Sequence, residues 1–222
     1  MSNDPDRTAD RERMLKTIRD LFRLTAAETG LGEAPPAVIE ALRGVPRHRF
    51  VPPQEQGLAY ADMALPIGMG QTISQPYMVA LMTALLGVSP DARVLEVGTG
   101  CGYQTAVLAE LVAQVYSLEV VRPLAEDAAR RLAGLGYGNV EVRHGDGHGG
   151  WAAQAPFDGI LVTAATPRVP MPLVRQLAPG ANLVIPVARG ASQVLSVLSR
   201  EAAGDLHRRD VIPVAFVPMV RT

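Results

Sequence analysis

A chain of 222 residues, 48% hydrophobic and 19% charged, has enough apolar matter for one sizeable core and too little length for two comfortable ones. The formal net charge of −1 gives no electrostatic reason to expect nucleic acid or an anionic membrane as a partner. A single cysteine, Cys101, excludes a disulfide framework and fits a reducing compartment, so a cytoplasmic location is expected.

The first dozen residues, MSNDPDRTADRE, are polar and mixed in charge. Without the apolar stretch of a signal peptide, residues 1–12 read as a frayed tail. From about Arg11 to Leu24 the apolar residues Met14, Leu15, Ile18, Leu21 and Phe22 recur at helical spacing. A short helix is expected from about Pro36 to Leu42, with the proline suited to its first turn. HRFVPPQEQ and ADMALPIGMGQTISQP then carry so much glycine and proline that an irregular path is expected. Pro76 opens a helix through about Leu86. No apolar stretch reaches the roughly 18 residues of a membrane span, and there is no internal repeat.

From Arg93 the pattern changes. RVLEVG, QVYSLEV, NVEVRHGD, FDGILVTAA and ANLVIPV read as strands, alternating with helices in YQTAVLAELV, RPLAEDAARRLAGLG and VPMPLVRQL. SQVLSVLSR and a segment near LHRRDVIPVAFVPMV look like closing strands. Such alternation predicts an α/β fold with a mostly parallel sheet covered by helices on both faces. One domain is expected over residues 1–222, with 13–92 as an N-terminal cap and substrate segment and 93–222 as the sheet. Ligands of such sheets sit at the carboxyl ends of the strands.

The turn after the first of these strands, VLEVGTGCG, carries glycines at 98, 100 and 102. Counting from Gly98, the third glycine comes one residue early for a dinucleotide fingerprint, and Tyr103 stands where glycine would be required. A pyrophosphate cradle is therefore disfavoured, although glycines here let the backbone approach a ligand closely. Glu96, just before the turn, is expected to face the same crevice, where it suits a cation. Glu119 ends the next strand, where a carboxylate can accept both ribose hydroxyls. Asp146, in HGDG after the third strand, is placed to accept from an exocyclic amine. Alone, Glu119 or Asp146 would read as solvated carboxylates, but three acids follow three successive strands in register. The ligand implied has an adenosine, a positively charged arm and no phosphates, which describes S-adenosylmethionine. Cys101 reads as a small filler rather than a nucleophile, since no base lies beside it. His144 and His148 flank a glycine-rich loop without further ligands, so no metal is expected.

LPIGMGQTISQPYMVALMTALL followed by RVLEVGTGCGYQTAVLAEL resembles the protein-L-isoaspartate O-methyltransferases. VPRHRFVP, RHGDGHGGW, APFDGILVTAA and AFVPMV extend the resemblance from about residue 13 to the end. It implies a class I methyltransferase sheet with the order of the last strands altered, and methyl transfer from S-adenosylmethionine to the free α-carboxylate of isoaspartyl residues in damaged proteins and peptides. The ester then closes to a succinimide, whose hydrolysis returns some aspartate. It implies too that Gln71 to Ser74 line the reaction centre, with Ser74 the active-site residue, and that Val214 to Val220 help hold the substrate backbone.

The cofactor site expected on these grounds comprises Gln71, Thr72, Ile73, Glu96, Gly98, Thr99, Gly100, Cys101, Gly102, Glu119, Val120, Asp146 and Gly147. The substrate side comprises Ile67, Ser74, Val217 and Pro218, in a monomer. A carboxylate is already ionised at neutral pH and needs no general base, so Ser74 would orient it by a hydrogen bond. Ser74 also suits an N-cap for the helix opened by Pro76. The glycines of PIGMG read as flexibility for a segment closing over the cofactor. His48 reads as structural or exposed, and Tyr103 and Trp151 as packing near the pocket. Three positions depart from the family pattern: His148 replaces a frequent aromatic near the adenine, Val79 a histidine of some members, and Cys101 a more usual small residue. Two other functions compete: methylation of an ordinary aspartate in one dedicated peptide, and a non-catalytic binder.

Overall fold

The protein is described from a computed structural model covering residues 7–200 and 206–221. Helix α1 (Thr8–Leu24) buries Met14, Leu15, Ile18 and Phe22, while Lys16 and Asp20 pair on its wet face. Residues 8–12 are thus helical rather than frayed; residues 1–6 of the expected tail lie outside the described residues. After the short α2 (Ala26–Thr29), α3 (Pro36–Gly44) starts at the expected proline and buries Val38, Ile39, Ala41 and Leu42.

The segment expected to be irregular is ordered. It holds two 3-10 turns, Arg47–Phe50 and Pro53–Leu58, and a small hairpin of β1 (Leu65–Gly68) and β2 (Gln71–Ile73). Leu65 and Ile73 pair across the hairpin and are both buried, which gives this short ladder a hydrophobic anchor. Its turn needs left-handed backbone at three successive residues, with φ of 90° at Gly68, 52° at Met69 and 70° at Gly70. Glycine adopts such angles freely, so PIGMG codes a tight turn.

Helix α4 (Pro76–Leu86) is apolar almost all round and correspondingly buried. Its N-terminus is satisfied from a distance: Asp62 Oδ1 accepts from the Tyr77 amide at 2.7 Å and Oδ2 from Gln75 Nε2 at 3.3 Å. The position flanking the helix is Gln75, and Ser74 makes no capping bond, so the capping reading of Ser74 falls.

The remaining elements follow the expected alternation: β3 (Arg93–Val97), α5 (Tyr103–Ala109), β4 (Gln114–Glu119), α6 (Arg122–Gly134), β5 (Val140–His144), β6 (Phe157–Val162), α7 (Met171–Arg175), β7 (Leu177–Arg189), β8 (Ser192–Arg200) and β9 (Leu206–Val214). Among the described residues these strands form one sheet in the order β5-β4-β3-β6-β7-β8-β9. Pairing is parallel from β5 to β7 and antiparallel across β7, β8 and β9. Alternate residues of β3 serve opposite faces. Val94 joins the core under α1, α3, α4 and α5, whereas Leu95 and Val97 join a second core with Phe157, Ile160 and Leu173. No helix among the described residues is long and apolar enough to cross a membrane.

Because Ile18 is fully buried, α1 is part of the main core. Ile18→Ala is expected to lower unfolding free energy by about 2–5 kcal/mol. Lys16→Ala on the exposed face should change it by no more than about 0.5 kcal/mol, both read by urea titration.

Candidate functional site

The chain passes from β3 to β4 on one side and later returns to β6 on the other, so the carboxyl end of β3 is the switch point of the sheet. The glycine turn begins there. Gly98 has φ of 98°, and a β-carbon on it would collide with Thr163 Oγ1. That hydroxyl, just beyond β6, donates to the Gly98 carbonyl at 2.6 Å. Gly102 is small for a different reason from the one expected: a β-carbon would lie 3.1 Å from Leu132 Cδ1 of α6, and Gly102 lines no cavity described below.

Three neighbouring hollows that share lining residues surround the turn. The first, of about 560 Å³, is lined by Gln71, Thr72, Gly98, Gly100, Leu118, Glu119, Val120, Gly147, Thr163 and the tail residues Val217–Val220. A groove of about 990 Å³ runs between Ser74–Met78 and residues 212–217. A recess of about 330 Å³ between them is bounded by Ile73, Ser74, Val79, Thr99, Cys101, Tyr103 and Gln104. Thr72 and Thr163 border all three hollows, and Ser74 borders the groove and the recess.

Glu119 lies at the first cavity with both oxygens partly engaged. Oε2 accepts from the Gly100 amide at 2.8 Å and Oε1 from the Val121 amide at 2.9 Å. Each carboxylate oxygen has a second lone pair for a ligand hydroxyl. The same side chain therefore shapes the turn and offers acceptors to the cavity.

Glu96 does not face the crevice. It is fully buried and lines none of the hollows. Strand alternation puts it on the face of Val94, under α5, where Thr105 Oγ1 at 2.5 Å and Ser117 Oγ at 2.6 Å donate to Oε2. Its other oxygen has no partner among the described residues. Burial, with a smaller contribution from the Glu119 charge, pushes its carboxyl up to about 8. Ser117 Oγ also lies 2.6 Å from Thr99 Oγ1, so Glu96 supports the turn from below.

Asp146 flanks the first cavity through Gly147 rather than lining it. Its Oδ1 accepts from the His148 amide at 2.9 Å and meets His148 Nδ1 at 2.7 Å. Partial burial works against the charged form, but these His148 hydrogen bonds prevail and hold the carboxyl below its usual range. Ile67 is not in the groove; its Cδ1 lies over Gly100 instead. Pro218 faces the first cavity, and Val217 borders both that cavity and the groove. Ala165 grips this tail, its amide donating to the Val217 carbonyl and its carbonyl accepting from the Met219 amide, each at 2.8 Å.

Cys101 is buried, and burial raises its thiol. His48 is buried against Tyr60, with Nδ1 2.8 Å from its hydroxyl. Tyr103 and Trp151 are both core residues. His144 Nε2 lies 3.1 Å from the Val120 carbonyl and His148 is committed to Asp146; no group of three or more metal-ligating side chains occurs among the described residues. Sequence reasoning missed Thr163 and Leu118, and it gave Met219 and Val220 to the substrate backbone, whereas they line the first cavity. The carboxyl end of FDGILVTAA, beside the glycine turn in a parallel sheet, was the available signal for Thr163.

The family model for protein-L-isoaspartate(D-aspartate) O-methyltransferase matches residues 25–222. The chain belongs to that family. A protein-L-isoaspartate O-methyltransferase 2 of Syntrophobacter fumaroxidans is 50% identical over 212 residues, covering 95% of this chain and 86% of that one. A protein-L-isoaspartate O-methyltransferase of a Synechococcus species is 55% identical over 192 residues, covering 83% and 78%. Among solved structures, a protein-L-isoaspartate O-methyltransferase superposes with a TM-score of 0.81 at 27% identity, over 94% of this chain and 65% of that one. A Plasmodium falciparum structure described as a complex with S-adenosyl-L-homocysteine shares the fold, with a TM-score of 0.81 at 24% identity over 96% and 99%. The consecutive order β7-β8-β9 at the sheet edge fits the altered strand order that the family resemblance implies.

The buried Glu96 of this family member has a measurable consequence. Between about pH 4.5 and 8 the folded protein keeps a proton that the unfolded chain releases. Stability of the ligand-free protein should therefore fall as pH rises through that window, by up to about 1.4 kcal/mol per unit. Glu96→Gln is expected to flatten this slope in urea titrations at several pH values. Equal slopes for the two proteins would mean that Glu96 is ionised when folded.

Proposed function

We propose that the first cavity takes the adenosine of S-adenosylmethionine, that the recess takes its methionine arm, and that the groove takes an isoaspartyl segment with its α-carboxylate at Ser74. The chain is an S-adenosylmethionine-dependent protein-L-isoaspartate O-methyltransferase, and its relatives do not favour the dedicated-aspartate alternative. The observation carrying the proposed arrangement is the position of Ser74, shared by groove and recess, with Thr72 and Thr163 common to all three hollows. A methyl donor and an acceptor oxygen placed from opposite sides would meet there.

The donor set suits this cofactor. Glu119 offers acceptors for two ribose hydroxyls, Gly98 and Gly100 bring bare backbone to the wall, and Leu118, Val120 and Met219 supply apolar surface. Among the described residues no lysine or arginine lines the first cavity, as befits a ligand without phosphates. Asp146, beside Gly147, is our acceptor for the adenine amine. When bound, S-adenosylmethionine supplies an electrophilic methyl group.

The chain's own work is alignment. The carboxylate is the nucleophile, the S–CH3 bond breaks as the O–CH3 bond forms, and no proton moves. Holding oxygen, carbon and sulfur in line in a dry site can contribute about 7–11 kcal/mol. The Ser74 hydroxyl, engaged by no other side chain among the described residues, would donate to the carboxylate oxygen that does not attack. Val217 and its neighbours, fixed through Ala165, would carry the substrate backbone. We further read the protein as a monomer of a reducing compartment such as the cytoplasm, supported by its single buried cysteine and modest net charge, with isoaspartyl proteins and peptides as its partners.

Ser74→Ala is expected to cut turnover of an isoaspartyl peptide by about 10²-fold while S-adenosylhomocysteine still binds. The paired peptide with ordinary aspartate should not be methylated, and turnover on aspartate alone would sink the repair reading. Glu119→Ala should weaken S-adenosylhomocysteine binding by about 10–100-fold in calorimetry, as charge-assisted hydrogen bonds are lost.

A further inference from the structure

Arg47 opens the first 3-10 turn and is fully buried. Its Nε donates to the Ala59 carbonyl at 2.7 Å and its Nη2 to the Ser74 carbonyl at 2.7 Å. Its guanidinium lies 4.6 Å from the ring centroid of Tyr103, at the start of α5. Nη1 is buried without a well-formed hydrogen bond, with Tyr103 as its neighbour, and the partly buried Asp62 carboxylate offsets the guanidinium charge only from beyond ion-pair distance. Burying a guanidinium this way is unfavourable, and an apolar residue of similar volume would fill the space at less cost. The charge calls for an explanation beyond packing.

The groove supplies one. Its lining residues are Ala64, Thr72, Gln75, Met78, Phe216 and others equally uncharged, yet the group it must seat is an anion. The nearby acid Asp62 is committed to the N-terminus of α4. A cation touching the carboxylate would hold its lone pairs and blunt their attack on carbon. A neutral hydroxyl in contact, with a full charge one layer behind, attracts the anion without that penalty. Charges act further in a low-dielectric interior and are screened little by salt there.

We propose that Arg47 is the positioning residue for the acceptor carboxylate, drawing it to Ser74 through a buried charge that never touches it. This role rests on the reading of the groove as the isoaspartyl site.

The test compares two peptides in the presence of S-adenosylhomocysteine, one with the free α-carboxylate and one with its uncharged α-carboxamide. The wild-type protein should prefer the carboxylate. Arg47→Met should weaken binding of the carboxylate about tenfold and leave the carboxamide within about twofold, while Arg47→Lys keeps the preference. A purely structural Arg47 would weaken both peptides alike in Arg47→Met, and that result, or an unchanged preference, overturns the proposal. Should Arg47→Met fail to fold, as judged by lost S-adenosylhomocysteine binding, the wild-type protein decides. Its carboxylate preference should persist from about 0.05 to 0.5 M NaCl, whereas loss of preference in salt would assign the effect to exposed charges and overturn the role of Arg47. Ser74→Ala separates the two readings. If it alters neither turnover nor binding, the groove assignment falls and the Arg47 role with it; if it is impaired while Arg47→Met keeps the preference, only the Arg47 role falls.

Discussion

The hydrogen bond from Thr163 Oγ1 to the Gly98 carbonyl, 2.6 Å long, is the constraint on which the rest of the site depends. It can form only because residue 98 has no β-carbon and adopts φ of 98°, so the hydroxyl of one strand end reaches the backbone of its neighbour. That closeness fixes the distance between the carboxyl ends of β3 and β6. The turn is then held by Glu119 through the Gly100 amide and supported from below by the chain Thr99–Ser117–Glu96. A surface of bare backbone is thereby kept rigid, and a ligand meets a wall that needs no reorganisation.

The second half of the site comes from the N-terminal segment, and buried polar contacts fasten it to the sheet. Asp62 holds the start of α4, and Arg47 joins Ala59, Ser74 and Tyr103. Tyr103 follows the glycine turn directly, so Arg47 spans the boundary between the segment bearing Ser74 and the element bearing the cofactor wall. Buried polar groups specify one arrangement when their partners are in place. Here they set the register between two halves that apolar packing alone could let slide.

How much of this was legible in the sequence depended on the range of the interaction responsible. Helix α4 begins and ends at Pro76 and Leu86 as expected, and β3 and β4 fall within their predicted runs, because periodicity and glycine or proline punctuation are local. The hairpin was missed because strands of four and three residues show no convincing alternation, and its stability rests on Leu65 meeting Ile73. The direction of Glu96 was misjudged because proximity to the turn was weighed above strand alternation, which sends it under α5. The cap of α4 was invisible for another reason: Asp62 reaches the Tyr77 amide across fifteen residues, leaving Ser74 free of that duty.

Asp146 and Gly147 carry a consequence of their own. An aspartate followed by glycine is more prone to cyclise than one followed by a bulkier residue, because the unhindered glycine amide can attack the side-chain carboxyl. The reaction needs that carboxyl protonated and free to rotate. In this protein two hydrogen-bond contacts from His148 keep the Asp146 carboxyl ionised and fixed. The same contacts that present an acceptor beside the cavity therefore shield the enzyme's own backbone from the ageing reaction whose products it mends.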